Sequence, residues 1–289
     1  MKENPGRLPI LDVNPDSDAA TRLYPIQPYR MDEGVYVRFP SRPYRDIVAF
    51  YHQIRITDYD NGDIYPSGNT AVVCRLDHDR PKSFLVGTPT FSRNAEYVVS
   101  KGDYFVALFW LGMGYCLFPN PPTEIVDRHI PLDEIYPEVS PRFTEEMALA
   151  KTFHRRVYLF ERFLSEIIID SRRIPTQHSR LINAIYRGAQ SSLDYDAKET
   201  LRADFSARHV RRLCVKYLGV SPNLLSRIIR YQKTLHLINA HPEDCIAGLA
   251  AEQGYFDQSH FIKEFRRFHS ITPAEFIRNF GKQQEYHRI

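Results

Sequence analysis

The sequence predicts an α+β protein of two domains, in which a β-rich N-terminal half is followed by an all-α C-terminal half. The chain has 289 residues, of which 43% are hydrophobic and 25% are charged, so it can bury the cores of two domains. Short strand-like runs occupy the first half, whereas the second half shows the period of amphipathic helices. The charge is also divided, because residues 175–289 hold 17 Lys and Arg against 11 Asp and Glu, and residues 1–174 hold 21 against 24.

The composition argues against several classes of protein. The longest apolar runs are shorter than the ~20 residues that a membrane-spanning helix needs, and the first residues contain no apolar segment of the kind that a secretory signal carries. The four cysteines lie far apart and form no CxxC pair, which argues against a zinc site or a disulfide framework. We therefore expect a cytoplasmic protein with reduced core cysteines and no membrane partner.

The first half contains six strand-like runs that are separated by turn residues. They lie at 34–39, 47–56, 69–76, 83–87, 95–99 and 104–111. The last two runs flank the sequence Ser-Lys-Gly-Asp at 100–103, which predicts a hairpin. Several short strands at this spacing favour a small β-barrel.

A barrel of this kind would hold a small molecule in a pocket lined by aromatic side chains and a few polar anchors. Strand alternation gives five candidate ligand-binding residues, each of which also fits a plain core position: Tyr51, Arg75, Tyr104, Phe109 and Trp110. A metal-dependent enzyme is the alternative, but this half has no HxH pair of the kind that a metal site in such a barrel needs. We therefore expect no catalytic residue, no cofactor and no metal site.

An amphipathic segment at 144–170 ends the first half. Its apolar side chains recur at helical spacing, which predicts one helix that packs on the barrel, with dimerisation through this helix as the alternative. Pro175 discourages continuation of that helix, and a short helix at 179–189 is expected to open the second domain. The predicted domains are therefore 1–174 and 175–289.

The second half contains an internal duplication with an offset of 51 residues. With His209 placed over His260, apolar and basic positions coincide along both copies, and Ser206 and Asp257 both stand where a helix N-cap is expected. Each copy predicts a capped helix, a short turn, and a second helix that is opened by Ser-Pro or Thr-Pro. In the second copy a short helix and a glycine turn at 246–254 precede the capped helix, which makes a helix-turn-helix.

Each capped helix carries hydrogen-bond donors on the face opposite its apolar stripe. A charge run by itself is most often a solvated helical face, although the segment 206–233 holds seven Lys and Arg and no acid. The donors are Arg208, Arg211 and Arg212 in the first copy, and Gln258, Ser259, Lys263, Arg266 and Arg267 in the second.

Residues 254–276, GYFDQSHFIKEFRRFHSITPAEF, resemble the signature of AraC-type transcription regulators. The resemblance covers about residues 190–280, including the long helix from Pro222 through Asn239 that joins two units in this family. It departs from the usual pattern at Ser270, where a glycine is common. The layout of the first half is similar to the cupin-like sensor domain of some AraC-type regulators.

The resemblance implies an N-terminal cupin-like β-barrel with a flanking helix and a C-terminal all-α domain of two helix-turn-helix units joined by a long helix. It implies a transcription regulator that binds double-stranded DNA sequence-specifically and is located in the cytoplasm, in association with the nucleoid. RNA polymerase, a small-molecule effector and a second copy of the chain are further candidate partners. Base-edge roles are implied for Arg208, Arg211, Arg212, Gln258, Ser259 and Lys263, about half of which would bind phosphates instead, and Arg267 is a candidate phosphate contact.

Two alternatives stay open at this point. One is a ligand-independent architectural DNA-binding protein, whose N-terminal barrel would serve only as scaffolding. The other is a metal-dependent cupin enzyme fused to a DNA-binding domain.

Overall fold

The computed structural model describes residues 36–278 apart from 39, 57–62, 78, 92, 95–100, 170–174, 192–195, 203–204, 241–254 and 256. The strands of its N-terminal half are β1 (Tyr36–Arg38), β2 (Val48–Ile56), β3 (Asp63–Ile64), β4 (Ala71–Arg75), β5 (Lys82–Val86), β6 (Arg93–Asn94), β7 (Gly102–Phe109) and β8 (His129–Pro131). They form an antiparallel sheet with strand order β1-β2-β7-β4-β5-β8, and β3 and β6 pair in a second, two-stranded sheet.

Five of the six predicted strands are confirmed as β1, β2, β4, β5 and β7. The run at 95–99 lies outside the described residues, and so does the hairpin that it was expected to form with β7. In the structure β7 is instead a central strand, because it pairs with β2 on one side and β4 on the other. The short strand β8 was not predicted, since a run of three residues that ends in a proline gives no alternating pattern.

The large sheet is buried on both faces. On one face the rings of Tyr51 and Phe105 lie 5.6 and 5.7 Å from the ring of Phe160, so this face packs against the helix that contains Phe160. On the other face Tyr104 and Val106 belong to a separate apolar cluster. Because both faces are buried, β4 and β7 carry continuous apolar runs where a half-exposed strand would alternate.

The helices include a group of short ones after β7 and a longer series in the C-terminal half. None of the described helices is long and apolar enough to cross a bilayer. A further helical segment at 273–278 follows the helix Gln258–His269. The helices are α1 (Gly114–Leu117), α2 (Pro122–Ile125), α3 (Leu132–Ile135), α4 (Ser140–Leu149), α5 (Phe153–Ile169), α6 (Thr176–Ser191), α7 (Ala197–Arg202), α8 (Ala207–Leu218), α9 (Pro222–Ala240) and α10 (Gln258–His269).

The prediction of one continuous helix at 144–170 is wrong, because α4 and α5 are separate helices. Thr152 begins α5 by accepting a hydrogen bond from the Arg155 backbone N–H at 3.2 Å through its Oγ1. Arg156 ends α4 by donating from Nε to the Met147 carbonyl at 3.4 Å and from Nη2 to the Ala150 carbonyl. These side chains satisfy backbone groups that a continuous helix would have paired internally, and the apolar periodicity alone does not reveal them.

The α+β architecture is as predicted, with an N-terminal sheet domain and a C-terminal helical domain. One hydrophobic core runs from the sheet through α4 and α5 into α6, α7 and α8. A second core lies between α9 and α10 and contains Tyr231, Phe261, Phe265 and Phe268. The predicted boundary at 174 falls among residues 170–174, outside the described part, and stays a prediction.

Candidate nucleic-acid interface

The helix α8 is capped at both ends by its own sequence. The Ser206 side chain accepts a hydrogen bond from the His209 backbone N–H at 3.4 Å, which satisfies one of the free donors of the first turn. The helix ends at Gly219, whose φ of 74° is the left-handed conformation that glycine adopts at a helix C-terminus. Its buried stripe is formed by Val210, Leu213, Cys214, Tyr217 and Leu218.

The helix α10 repeats this construction at the same offset of the sequence. Asp257 accepts from the His260 backbone N–H at 2.7 Å, and the helix ends at Ser270 with a φ of 63°. The next helix opens with a capping box, in which the Thr272 backbone N–H donates to the Glu275 carboxylate at 2.7 Å and the Glu275 backbone N–H donates to the Thr272 hydroxyl at 3.2 Å. The two helices have 12 residues each, which confirms the predicted duplication of capped helix and turn.

The seven residues predicted for DNA contact all lie on the solvent side of α8 and α10. Each of them is exposed, and none forms an ion pair or a side-chain hydrogen bond with another of the residues that the structure describes. The stripe opposite to them is buried in both helices. The structure therefore presents Arg208, Arg211, Arg212, Gln258, Ser259, Lys263 and Arg267 as available donors on two equivalent helices, and their DNA contacts remain predictions.

A bidentate ion pair that the sequence did not reveal fixes α10 on α9. Arg227 donates to the Glu264 carboxylate through Nε at 2.5 Å and through Nη2 at 2.8 Å, with side chains only 22% and 16% exposed. The guanidinium also lies 5.3 Å from the centre of the Phe268 ring. The two residues are 37 positions apart, and no local pattern pairs residues at that distance.

His269 anchors the end of α10 to two different parts of the molecule. Its Nδ1 lies 2.6 Å from the Tyr231 hydroxyl of α9. Its ring stacks on Tyr65 of the N-terminal domain, with ring centres 4.0 Å apart and planes 11° from parallel. Burial lowers the pKa of His269 to about 3, so the ring is neutral at neutral pH, and Nδ1 shares one hydrogen bond with the Tyr231 hydroxyl.

The end of α8 also lies against the N-terminal domain. The ring of Tyr217 meets Tyr115 of α1 edge to face at 4.8 Å. A Cβ atom at Gly219 would lie 2.6 Å from the Pro122 carbonyl oxygen and 2.6 Å from Cγ2 of Val126. The backbone of α2 thus approaches this turn so closely that a side chain has no room.

The five candidate ligand-binding residues do not form one cluster. Tyr51, Phe109 and Trp110 belong to the core that packs on the helices. Tyr104 lies on the opposite face of the sheet and pairs across strands with Arg75. A cleft of about 440 Å³ between β5, β8 and α4 is lined by other residues, so ligand contact by any of the five stays a prediction.

Comparison with solved structures finds ToxT from Vibrio cholerae. One crystal structure of ToxT is 13% identical, covers 84% of this chain and 95% of that chain, and has a TM-score of 0.40. ToxT bound to (E)-4-(8-methylnaphthalen-1-yl)but-3-enoic acid is 14% identical, covers 86% and 98% of the two chains, and has a TM-score of 0.41. Unsaturated fatty acid bound wild-type ToxT is 11% identical, with coverages of 86% and 96% and a TM-score of 0.39. No curated protein matches the sequence.

The sequence also matches a family model, described as a helix-turn-helix domain, at residues 201–279. This segment contains both capped helices and the long helix α9 between them. Its exposed donors and buried stripes have the arrangement that such a domain uses to place a helix in the DNA major groove. Residues 201–279 therefore form an AraC-type helix-turn-helix domain, and the protein is a DNA-binding transcription regulator.

Proposed function

We propose that the protein binds one asymmetric DNA site by placing α8 and α10 in successive major grooves. The observation that carries this proposal is the presence of two equivalent 12-residue helices, each with a capped N-terminus and an exposed donor face. The major groove of B-DNA admits an α-helix, and successive grooves on one side of the duplex lie ~34 Å apart. Because both helices belong to one chain, the two segments need not be related by symmetry.

Donor chemistry gives each helix a different base preference. Arg208, Arg211 and Arg212 favour guanine, because a guanidinium matches the O6 and N7 acceptors of that base. Gln258 favours adenine for the corresponding reason, and Ser259 and Lys263 are also exposed on α10. Arg267 lies about two and a half turns beyond Gln258, where a contact with phosphate positions the helix without specifying a base.

The N-terminal domain has a regulatory role in this proposal. It touches the C-terminal end of each recognition helix, through Tyr115 on Tyr217 and through Tyr65 on His269. A small-molecule effector or a second copy of the chain that shifts this domain would therefore act on the DNA-binding surface. RNA polymerase is the partner through which a bound regulator of this kind would act on transcription.

The proposal is tested by selecting bound sequences from random DNA and then measuring single substitutions. We expect Arg212→Ala to lose ~1–3 kcal/mol of base discrimination in one half of the selected site, and Gln258→Ala to lose a similar amount about ten base pairs away. Arg267→Ala should weaken binding to all DNA sequences alike. It should also reduce the slope of the logarithm of the binding constant against the logarithm of the salt concentration by about one.

Two outcomes would contradict the proposal. If Arg212→Ala and Gln258→Ala changed preference at the same base pairs, the two helices would not occupy successive grooves. If the wild-type protein bound selected and random DNA almost equally across salt concentrations, it would be an architectural protein, since a specific regulator prefers its site by about 10³-fold or more.

A further inference from the structure

We propose that the N-terminal domain holds both recognition helices at their C-terminal ends and thereby fixes the spacing of the two DNA segments that the protein binds. This inference rests on the proposed function, since it assigns the N-terminal domain a role in how the two helices engage one site. It concerns spacing between the segments, and not the base preference within either of them.

The first contact holds α8. A Cβ atom at Gly219 would lie 2.6 Å from the Pro122 carbonyl oxygen, so the turn after α8 rests directly on the backbone of α2. Tyr217, in the last turn of α8, packs edge to face on Tyr115 at 4.8 Å. The buried histidine His178 of α6 completes this junction, with its ring 5.1 Å from Tyr217 and its Nε2 3.0 Å from the Gly112 carbonyl.

The second contact holds α10 and the helix behind it. Tyr65, in the segment between β3 and β4, stacks on His269 at the last residue of α10. One residue later, the Pro66 carbonyl accepts a hydrogen bond of 2.7 Å from Nε2 of Gln232, which is 1% exposed and belongs to α9. The same short segment therefore touches both α10 and the joining helix α9.

These contacts matter because the two recognition helices belong to different hydrophobic cores. Leu213 and Tyr217 of α8 lie in the core that continues from the sheet, whereas Phe261 and Phe265 of α10 lie in the second core. The helix α9 links the two cores, and the contacts of the N-terminal domain provide a second connection. Both contacts lie at C-terminal ends, so the exposed donors near the N-termini remain free to meet base edges.

The duplicated turn supplies an internal comparison. Ser270 occupies the position that Gly219 holds in the first copy, and it adopts the same left-handed conformation with a φ of 63°. A serine is therefore compatible with this turn as such. What excludes a side chain at Gly219 is the approach of Pro122 and Val126, so the glycine is needed for contact with the N-terminal domain.

The test measures binding of the full chain to synthetic duplexes that carry both selected segments with varied numbers of base pairs between them. Simultaneous binding by two linked units gains about 10²-fold or more in affinity, and this gain is lost when the geometry forbids it. We expect the wild-type protein to favour one spacing by that factor. Tyr65→Ala and Gly219→Ser should reduce the preference to a few fold, because they release α10 and α8 respectively, while base preference within each segment is unchanged.

Two matched variants serve as controls. Tyr65→Phe keeps the aromatic ring that stacks on His269, and Ser270→Gly makes the second turn chemically equal to the first, so both should keep the wild-type spacing profile. Circular dichroism and thermal unfolding establish that each variant is folded. If Gly219→Ser does not fold, Tyr65→Ala still decides the matter, since its half-buried side chain lies at the edge of the second core.

The proposal is overturned if folded Tyr65→Ala and Gly219→Ser keep the wild-type spacing profile, or if they lose DNA binding altogether. It is also overturned if the wild-type protein selects specific bases but tolerates every spacing equally. A wild-type protein without any base preference would instead refute the proposed function itself, and the two failures are thus distinguishable.

Discussion

His269 sits in the last turn of α10 with only 3% of its surface exposed. Its ring is surrounded by aromatic side chains, and its Nδ1 shares a hydrogen bond with the Tyr231 hydroxyl. Burial removes the hydration that would stabilise an imidazolium, which lowers the pKa of His269 to about 3. Burial likewise lowers the pKa of His52, which lies in the sheet, to about 4.

The lowered pKa of His269 makes stability depend on pH in a defined direction. Above pH ~6.5 the ring is neutral in both the folded and the unfolded chain, so its contribution to the unfolding free energy is fully present. Between ~6.5 and about 3 only the unfolded chain binds the proton, so the unfolding free energy falls as pH falls, by about 1.4 kcal/mol per pH unit.

Replacing this histidine should make the pH dependence shallower. We expect denaturant unfolding of His269→Gln between pH 4 and 6 to show a slope reduced by up to about 1.4 kcal/mol per pH unit relative to wild type. Other buried groups, such as His52, contribute equally to both proteins and cancel in the comparison. Identical slopes in the two proteins would show that His269 titrates normally in the folded state.

Among the secondary-structure elements, the junction of α9 and α10 depends on a charged pair. Arg227 and Glu264 are mostly buried and share two hydrogen bonds, so each has lost hydration that the other replaces. A pair of this kind is costly to break on one side, because the remaining charge is then buried without a partner. Replacing both charged residues leaves no buried charge without a partner.

A double-mutant cycle on this pair should therefore be strongly non-additive. We expect Arg227→Met and Glu264→Leu each to lower the unfolding free energy by about 2–4 kcal/mol, and the double variant to lie within about 1 kcal/mol of wild type. Denaturant unfolding at neutral pH measures all four proteins. Additive losses in the double variant would mean that the two side chains contribute independently of each other.

At the scale of the whole molecule, the boundary between the two larger hydrophobic cores differs from the division into a sheet domain and a helical domain. The core of the sheet continues into α8, whereas α10 and most of α9 belong to the second core. The first helix-turn-helix unit is thus packed as a part of the N-terminal body. Local unfolding is expected to follow cores, since buried apolar contacts determine which elements open together.

Hydrogen exchange on two core variants should reveal this division. Phe265→Ala costs ~3–5 kcal/mol and should accelerate exchange in α10 and the second half of α9, while the sheet stays protected. Leu213→Ala costs ~2–5 kcal/mol and should accelerate exchange in α8 together with α6 and the sheet. Faster exchange of the sheet in Phe265→Ala would show instead that the molecule has a single cooperative unit.

The sequence predicts those features that depend on local patterns. The caps at Ser206 and Asp257, the turn at Ser270 and the apolar stripes follow from residue types at fixed spacing, and the structure confirms them. The break between α4 and α5 was not predicted. It depends on the Arg156 side chain, which donates to the carbonyls of Met147 and Ala150, and the spacing of apolar residues gives no information about such hydrogen bonds.

Features that join distant parts of the chain could not be predicted in this way. Tyr65 and His269 are 204 positions apart, and a tyrosine in the connection between two predicted strands gives no signal for a stacking partner. The sheet shows a related failure, because its strands are buried on both faces and residue alternation cannot tell one face from the other. The candidate ligand-binding residues, which were chosen by strand alternation, consequently lie on both faces of the sheet.

The cationic side of α8 has an electrostatic cost in the free protein. Arg208 stands three and four residues before Arg211 and Arg212, a spacing at which like charges on a helix repel each other. Arg208 also lies in the first turn, which contains no acid and carries the positive end of the helix dipole. In the proposed complex, DNA phosphates beside these arginines would offset the repulsion. Added salt should therefore stabilise the free helix, because its ions screen the repulsion between the arginines. The same salt should weaken the complex with DNA, because its ions compete for the phosphates.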